Sequence, residues 1–260
     1  MVNWVNNKLG IGILERESRL FIYKFLVIQL TIAFSIGISH LFIILFILDS
    51  LTPLEIGFLF AVNFGISAII DYPTGALGDL IGHKFVLILA YIFHSISIII
   101  LLVANSFLIF LIYISLSAFA SSQESGALES WFDNQYRSQI EHRDPDRLIY
   151  KTFKARNLLL ITIISGLSFI MGGLLAAISR IFLFQVYLIL TIINLLLIIL
   201  LLNTPSRQET KINFVSYWNQ LKDGVHFVTS KNSILFYYVG SAIIFSANNS
   251  LWATFFLFPI

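Results

Sequence analysis

The chain has 260 residues, of which 58% are hydrophobic and only 12% charged, with a mean hydropathy of +0.88. That balance excludes an ordinary water-soluble domain, in which apolar residues make up about 45–50% and charged ones about 25%. The lack of cysteine excludes disulfides, thiolate chemistry and Cys-ligated zinc, and a net charge of +2 without a basic block leaves no basis for a nucleic-acid partner.

A helix needs about 20 apolar residues to cross a bilayer, because each rises about 1.5 Å and no backbone group can stay unpaired in lipid. The first such run, Leu20 to Leu48, follows a charged head with Lys8, Glu15, Arg16, Glu17, Arg19 and Lys24. It is too long for a signal peptide's apolar stretch and is expected to be a retained span. Five more runs follow: Leu54 to Gly78, Phe85 to Ala104, Phe107 to Tyr136, Phe153 to Ile178 and Ile181 to Asn203. Next comes Asn213 to Ser230, with Phe214, Tyr217, Trp218, Leu221, Val225 and Val228 on one side, which reads as an amphipathic helix on the membrane surface. A seventh run covers Ile234 to Ile260. The expected fold is an all-α membrane protein: a six-helix transmembrane bundle over 1–203, a cytoplasmic linker over 204–233 and a seventh transmembrane helix over 234–260.

Connections between runs alternate between very short (Asn105 and Ser106; Ser179 and Arg180) and long and charged (Arg137 to Arg156; Thr204 to Ser233). Of the 16 Lys and Arg, Arg180 alone falls on the side of the short loops. Basic residues favour the cytoplasmic face, so the N-terminus is expected inside a cytoplasmic membrane and the seventh helix is expected to run outward.

The runs differ in polarity. The sixth has few polar atoms and is expected to face lipid. The fourth carries Ser122, Ser125, Gly126, Glu129 and Asp133 at helical spacing, a stripe too polar for lipid, with Glu129 and Asp133 one turn apart. Thr31, Ser35 and Ser39 form a milder stripe in the first, and Gly166, Gly172 and Gly173 in the fifth permit close helix approach.

Carboxylates inside spans are costly, which makes Glu129, Glu124 and Asp71 candidates for substrate or proton binding. Glu129 stands first because it shares the polar stripe, and a raised pKa there would couple a proton to transport. Glu124 lies on another face. Asp71, near Pro73, reads rather as a structural partner for backbone amides freed by the proline. His40 is a further candidate near the outer interface, and Asn248 and Asn249 offer amides to a cavity. His94 reads as a neutral, hydrogen-bonded packing residue.

Between the second and third runs the sequence reads Asp71-Tyr-Pro-Thr-Gly75-Ala-Leu-Gly-Asp79-Leu-Ile-Gly82-His83-Lys84. This resembles the signature loop of the major facilitator superfamily, Gly-x-Leu-Ala-Asp-Arg-x-Gly-Arg-Lys, at the expected place. Gly75 suits close approach of the second helix, Gly82 a tight turn, and Asp79 the positive N-terminal end of the third helix. Ser125-Gly-Ala-Leu-Glu129 and Asp133, with the basic loop before the fifth run, resemble a prokaryotic branch. The resemblance covers the N-terminal half of a twelve-helix transporter and implies two inverted three-helix repeats, echoed by Gly75-Ala-Leu-Gly and Gly173-Leu-Leu-Ala. It implies a cytoplasmic gate of Asp79, Asp133, His83 and Lys84. Leu80 and His83 stand where the family usually has Arg, so the gate loses permanent charge. The drug-antiporter Arg of the fourth helix and the Gly-Pro pair of the fifth are absent.

No Gly-Lys-Ser/Thr phosphate loop, His-Glu-x-x-His or Gly-x-Ser-x-Gly occurs, so neither an enzyme nor a cofactor or metal site is expected. The expected function is secondary active transport of a small solute by alternating access, coupled to protons through Glu129. The expected partners are the lipid bilayer, an unknown small-molecule solute and protons. A half or truncated transporter, a split half needing a C-terminal partner, and a non-transporting scaffold bundle are the organisations left open.

Overall fold

The computed structural model describes residues 2–124 and 126–203 and a few isolated positions beyond, with backbone alone at Val2–Val5, 72–76 and Asp79. The expected amphipathic linker and seventh helix lie outside the described residues, as do Asn248 and Asn249. Every described element is helical, and six candidate spans are long and apolar enough to cross a membrane: Arg16–Leu48, Pro53–Asp71, His83–Val103, Phe107–Gln139, Leu148–Ile178 and Arg180–Leu201.

A short helix α1 (Val2–Leu9) precedes the first span, which α2 (Arg16–His40) and α3 (Phe42–Leu48) form with a break at Leu41. The second begins α4 (Pro53–Ile81) with a full capping box. Thr52 Oγ1 accepts from the Glu55 amide at 3.4 Å, Glu55 Oε2 accepts from the Thr52 amide at 2.9 Å, and Pro53 sits where no donor is needed. Gly82, at φ +96°, ends α4 and starts α5 (His83–Val103) with no intervening loop. Only glycine enters that region without steric cost, so the turn expected at Gly82 is where the backbone makes it.

The fourth span is not one continuous helix. It is α6 (Phe107–Glu124) and α7 (Ala127–Gln139), with Gly126 at φ +73° between them. The polar stripe expected across Ser122, Ser125, Gly126, Glu129 and Asp133 is therefore divided, with Ser122 on α6, Glu129 and Asp133 on α7, and Ser125 outside the described residues. The basic loop expected from Arg137 to Arg156 is also shorter. A 3₁₀ turn at Glu141–Arg143 leads into α8 (Leu148–Ile178), whose first three turns carry Lys151, Lys154 and Arg156. Asp144 caps that start, accepting from the amides of Ile149 at 3.2 Å and Tyr150 at 3.0 Å and from the Tyr136 hydroxyl at 2.6 Å. Burial alone would raise the Asp144 carboxyl, but these bonds outweigh it and hold its pKa below the ordinary value. Ser179 caps α9 (Arg180–Leu201).

Helix α2 packs on α8 and α9, α5 on α6 and α9, and α4 on α6. Helices α2 and α8 approach closely: a Cβ at Gly172 would lie 2.4 Å from the Ile38 carbonyl oxygen. The interior divides into two apolar clusters. One gathers Phe25, Phe132, Phe153 and Tyr136 toward the charged loops, with ring centroids of Phe132 and Phe25 4.2 Å apart. The other gathers Ile38, Leu101, Phe110 and Phe184 toward the short loops. At the charged end Arg143 pairs with Glu15 at 2.6 Å and Lys24 reaches Asn203 at 3.4 Å; at the other, Arg180 pairs with Asp49. Outward, α8 presents Leu158, Leu159, Ile163, Ile170 and Leu174, a surface suited to lipid.

The sixth span exposes Ile189, Ile192, Ile193, Leu196 and Leu200, a surface suited to lipid as expected, but one face of it is buried. Thr191 and Asn194 are buried together with Leu183, Phe184 and Ile198, so this face of α9 packs inside the bundle while only the opposite side is open.

Candidate functional site

Among the described residues, two polar clusters lie within the spans. The first joins α7, α8 and α2. Glu129 and Asp133, one turn apart on α7, meet Tyr150 and Lys154, one turn apart on α8: Lys154 pairs with Glu129, and the Tyr150 hydroxyl donates to Asp133 Oδ1 at 2.6 Å. Equal spacing on the two helices lets long side chains make both contacts at once. Gln29 donates to the other Glu129 oxygen at 2.8 Å, and its own carbonyl accepts from Asn157 at 2.6 Å, tying in the first span. The Lys154 ammonium also lies 5.0 Å from the Phe132 ring centre and 5.3 Å from that of Phe25. A cation over aromatic faces gains about 0.5–2 kcal/mol, which helps hold an ammonium inside a span. The Glu129 side chain is 44% exposed and that of Lys154 25%, so the pair is open on one side.

The second cluster lies between the two apolar clusters, where α2, α5, α6 and α9 each contribute one polar stretch. Glu124, the last residue of α6, accepts the Tyr91 hydroxyl on Oε1 at 2.8 Å and faces His94 Nε2 through Oε2 at 3.1 Å. These groups, with Ser35, Tyr187, Thr191 and Asn194, line a small cavity of about 10 Å³, room for one water molecule. Asn194 donates to Ser35 Oγ at 2.9 Å across the bundle. His94, expected as a hydrogen-bonded packing residue, is hydrogen-bonded, and its partner is a carboxylate.

The remaining expected residues are dispersed. Lys84 donates to the Ile199 carbonyl at 2.8 Å, whereas Asp133 is engaged by Tyr150, so the structure takes these two gate residues to different partners. His83 packs over Gly78, where a Cβ would lie 2.5 Å from its Nδ1. Gly75 and Asp79 lie within α4, but their surroundings fall outside the described residues. Asp71 is exposed on α4 and His40 is exposed at the end of α2, neither lining the cavity.

Sequence reasoning missed Lys154, Tyr150, Gln29 and Asn157 in the first cluster and Tyr91, Tyr187, Thr191 and Asn194 in the second. Two signals were present. Extending the fifth helix back to the Asp144 cap puts Tyr150, Lys154 and Asn157 on one face, and a lone amide such as Asn194 in an apolar span faces protein by default. Each cluster thus sets one carboxyl group against a basic side chain inside the spans, Glu129 against Lys154 and Glu124 against His94. No protein-family model matches the chain, and no curated protein matches it. The chain is a multi-pass α-helical membrane protein.

Proposed function

We propose that the chain works in secondary active transport of the major facilitator type, moving a small solute by alternating access with proton coupling. The observation carrying this reading is the Glu129–Lys154 pair, an opposite-charge contact between the fourth and fifth spans that is partly open. Protonating Glu129 removes the anionic partner of Lys154 and weakens the tie between α7 and α8. A proton thereby biases how two spans sit against each other, as alternating access requires. The likeness of the segment from Gly75 to Lys84 to the family signature supports the same reading, with the turn at Gly82 where that signature needs it. The gathering of basic side chains at one end supports a cytoplasmic N-terminus in the cytoplasmic membrane.

The test uses protein in liposomes and a solute chosen from a thermal-shift panel. Glu129→Gln is expected to abolish uptake driven by a pH gradient while leaving solute exchange intact. Normal gradient-driven uptake by this variant would refute the coupling role.

A second reading, a bundle that transports only with a partner bundle or serves as an interaction scaffold, has one observation in its favour. Among the described residues a Cβ at Gly57 or Gly65 on α4, or at Gly166 on α8, would meet nothing within 4 Å, leaving room for a close helix partner. Uptake by the chain alone in liposomes would exclude it.

A further inference from the structure

We infer that the cavity among Ser35, Glu124, Thr191 and Asn194 binds one dehydrated alkali cation of about sodium size. This site lies inside the bundle, between α2, α5, α6 and α9, and shares no residue with the Glu129–Lys154 cluster. It goes beyond the transport reading and needs none of it.

Four observations converge. The first is hydrogen bookkeeping. Ser35 donates its hydroxyl hydrogen to the Thr31 carbonyl at 2.7 Å, Thr191 to the Tyr187 carbonyl at 2.9 Å, Tyr91 to Glu124, and the Asn194 amide to Ser35. With those hydrogens committed, Glu124, Thr191 and Asn194 keep acceptor lone pairs among the residues that line the cavity.

The second is Asn194 itself. It is only 1% exposed, it lines the cavity, and its carbonyl oxygen has no hydrogen-bond partner among the described residues. Buried polar atoms in native proteins are nearly always satisfied, so an acceptor left open on a cavity wall marks where an occupant sits. The third is the Glu124 carboxyl, a group costly inside a span unless partnered, whose oxygens meet the Tyr91 hydroxyl and the His94 ring, the latter a counter-charge only when protonated. His94 contacts one of its oxygens and does not reach Asn194 by any hydrogen bond the structure shows.

Size is the fourth. With a volume of about 10 Å³, close to that of one water molecule, the cavity suits a bare monatomic ion better than an organic ammonium ion. Carboxylate, amide carbonyl and hydroxyl oxygens are hard ligands that suit hard cations rather than soft ones. One carboxylate balances a single positive charge, which favours a monovalent ion over a divalent one.

The test is radioactive sodium binding to the purified full chain in nanodiscs, with choline chloride holding ionic strength constant. Saturable binding of one ion per chain is expected, weakened at least about tenfold by Glu124→Gln and by Asn194→Leu. Asn194→Asp keeps an oxygen at the position and is expected to retain binding. Lys151→Gln, at the surface of α8, is expected to bind as the unmodified chain does. Absence of saturable binding to the unmodified, monodisperse chain would overturn the site and mean that the cavity holds water. Unchanged affinity in both Glu124→Gln and Asn194→Leu would also overturn it. Because the assay uses neither gradient nor solute, its failure would leave the transport reading where it stands.

Discussion

Glu124 and Glu129 are five residues apart, and the fold gives them different chemistry. Glu129 receives an ammonium and an amide on a partly open face; Glu124 receives a phenol and an imidazole in the interior. Open ion pairs contribute little to stability. A double-mutant cycle of Glu129→Gln and Lys154→Gln, read by thermal unfolding in detergent, is therefore expected to give a coupling of at most about 1 kcal/mol. A coupling well above that would show the pair to be closed off from solvent. Asp144, outside the spans, is the contrasting case: it is only 5% exposed and binds two amides and a hydroxyl. Asp144→Asn is expected to cost about 1–3 kcal/mol near neutral pH. Folding lowers the Asp144 pKa, so its stabilisation is fully present above the unfolded value of about 4 and is lost as pH falls through the lower folded value. The stability gap between Asp144→Asn and the unmodified chain should close in acid; a gap independent of pH would remove the carboxylate from the cap.

At the scale of helices, the glycines fall into distinct roles that the sequence presents alike. In a bilayer, helix association depends on close packing because lipid is as apolar as the side chains. Gly172 is where α8 meets the α2 backbone, so Gly172→Ala must push the helices apart and is expected to cost about 1–3 kcal/mol. Gly166 on the same helix has open space, and Gly166→Ala is expected to be neutral or stabilising by up to about 1 kcal/mol through helix propensity. Equal effects in thermal unfolding would contradict the packing described. Gly126 has a third role, a left-handed residue joining α6 to α7. Gly126→Ala is expected to cost about 1–2 kcal/mol, and Gly126→Asn less, since Asn tolerates that conformation. The break also explains why the fourth span's polar stripe does not run straight: a left-handed residue ends one helical phase and begins another.

For the whole molecule, the basic residues gather at one end of the bundle and the Arg180–Asp49 pair marks the other. The absence of cysteine makes sidedness directly measurable. A single cysteine at Arg143 is expected to react with a membrane-impermeant maleimide only after cells are opened, and one at Ser106 in intact cells. The reverse pattern would invert the topology. The positions of the six spans were legible in the sequence to within a few residues, except that the second candidate span ends at Asp71 rather than Gly78, although its helix α4 runs on to Ile81, and the fifth begins at Leu148 rather than Phe153. The reason for that miss is local: Lys151, Lys154 and Arg156 look like loop when charge is weighed alone, but an Asp144 cap and ring contacts over Lys154 keep them helical.

The sequence by itself determined the six spans, the alternation of short and charged connections and the turn at Gly82. Each rests on about 20 neighbouring residues or on a single backbone torsion, so each is local information. Only the tertiary structure decided which polar side chains meet. Asn194 and Ser35 are 159 residues apart, Gln29 and Glu129 are 100 apart, and their contacts depend on the rotation of each helix about its axis and on which helix lies beside which. Apolar spans leave that rotation almost unspecified in the sequence, because lipid and protein neighbours are both apolar. A few buried polar contacts and one close glycine crossing fix it instead.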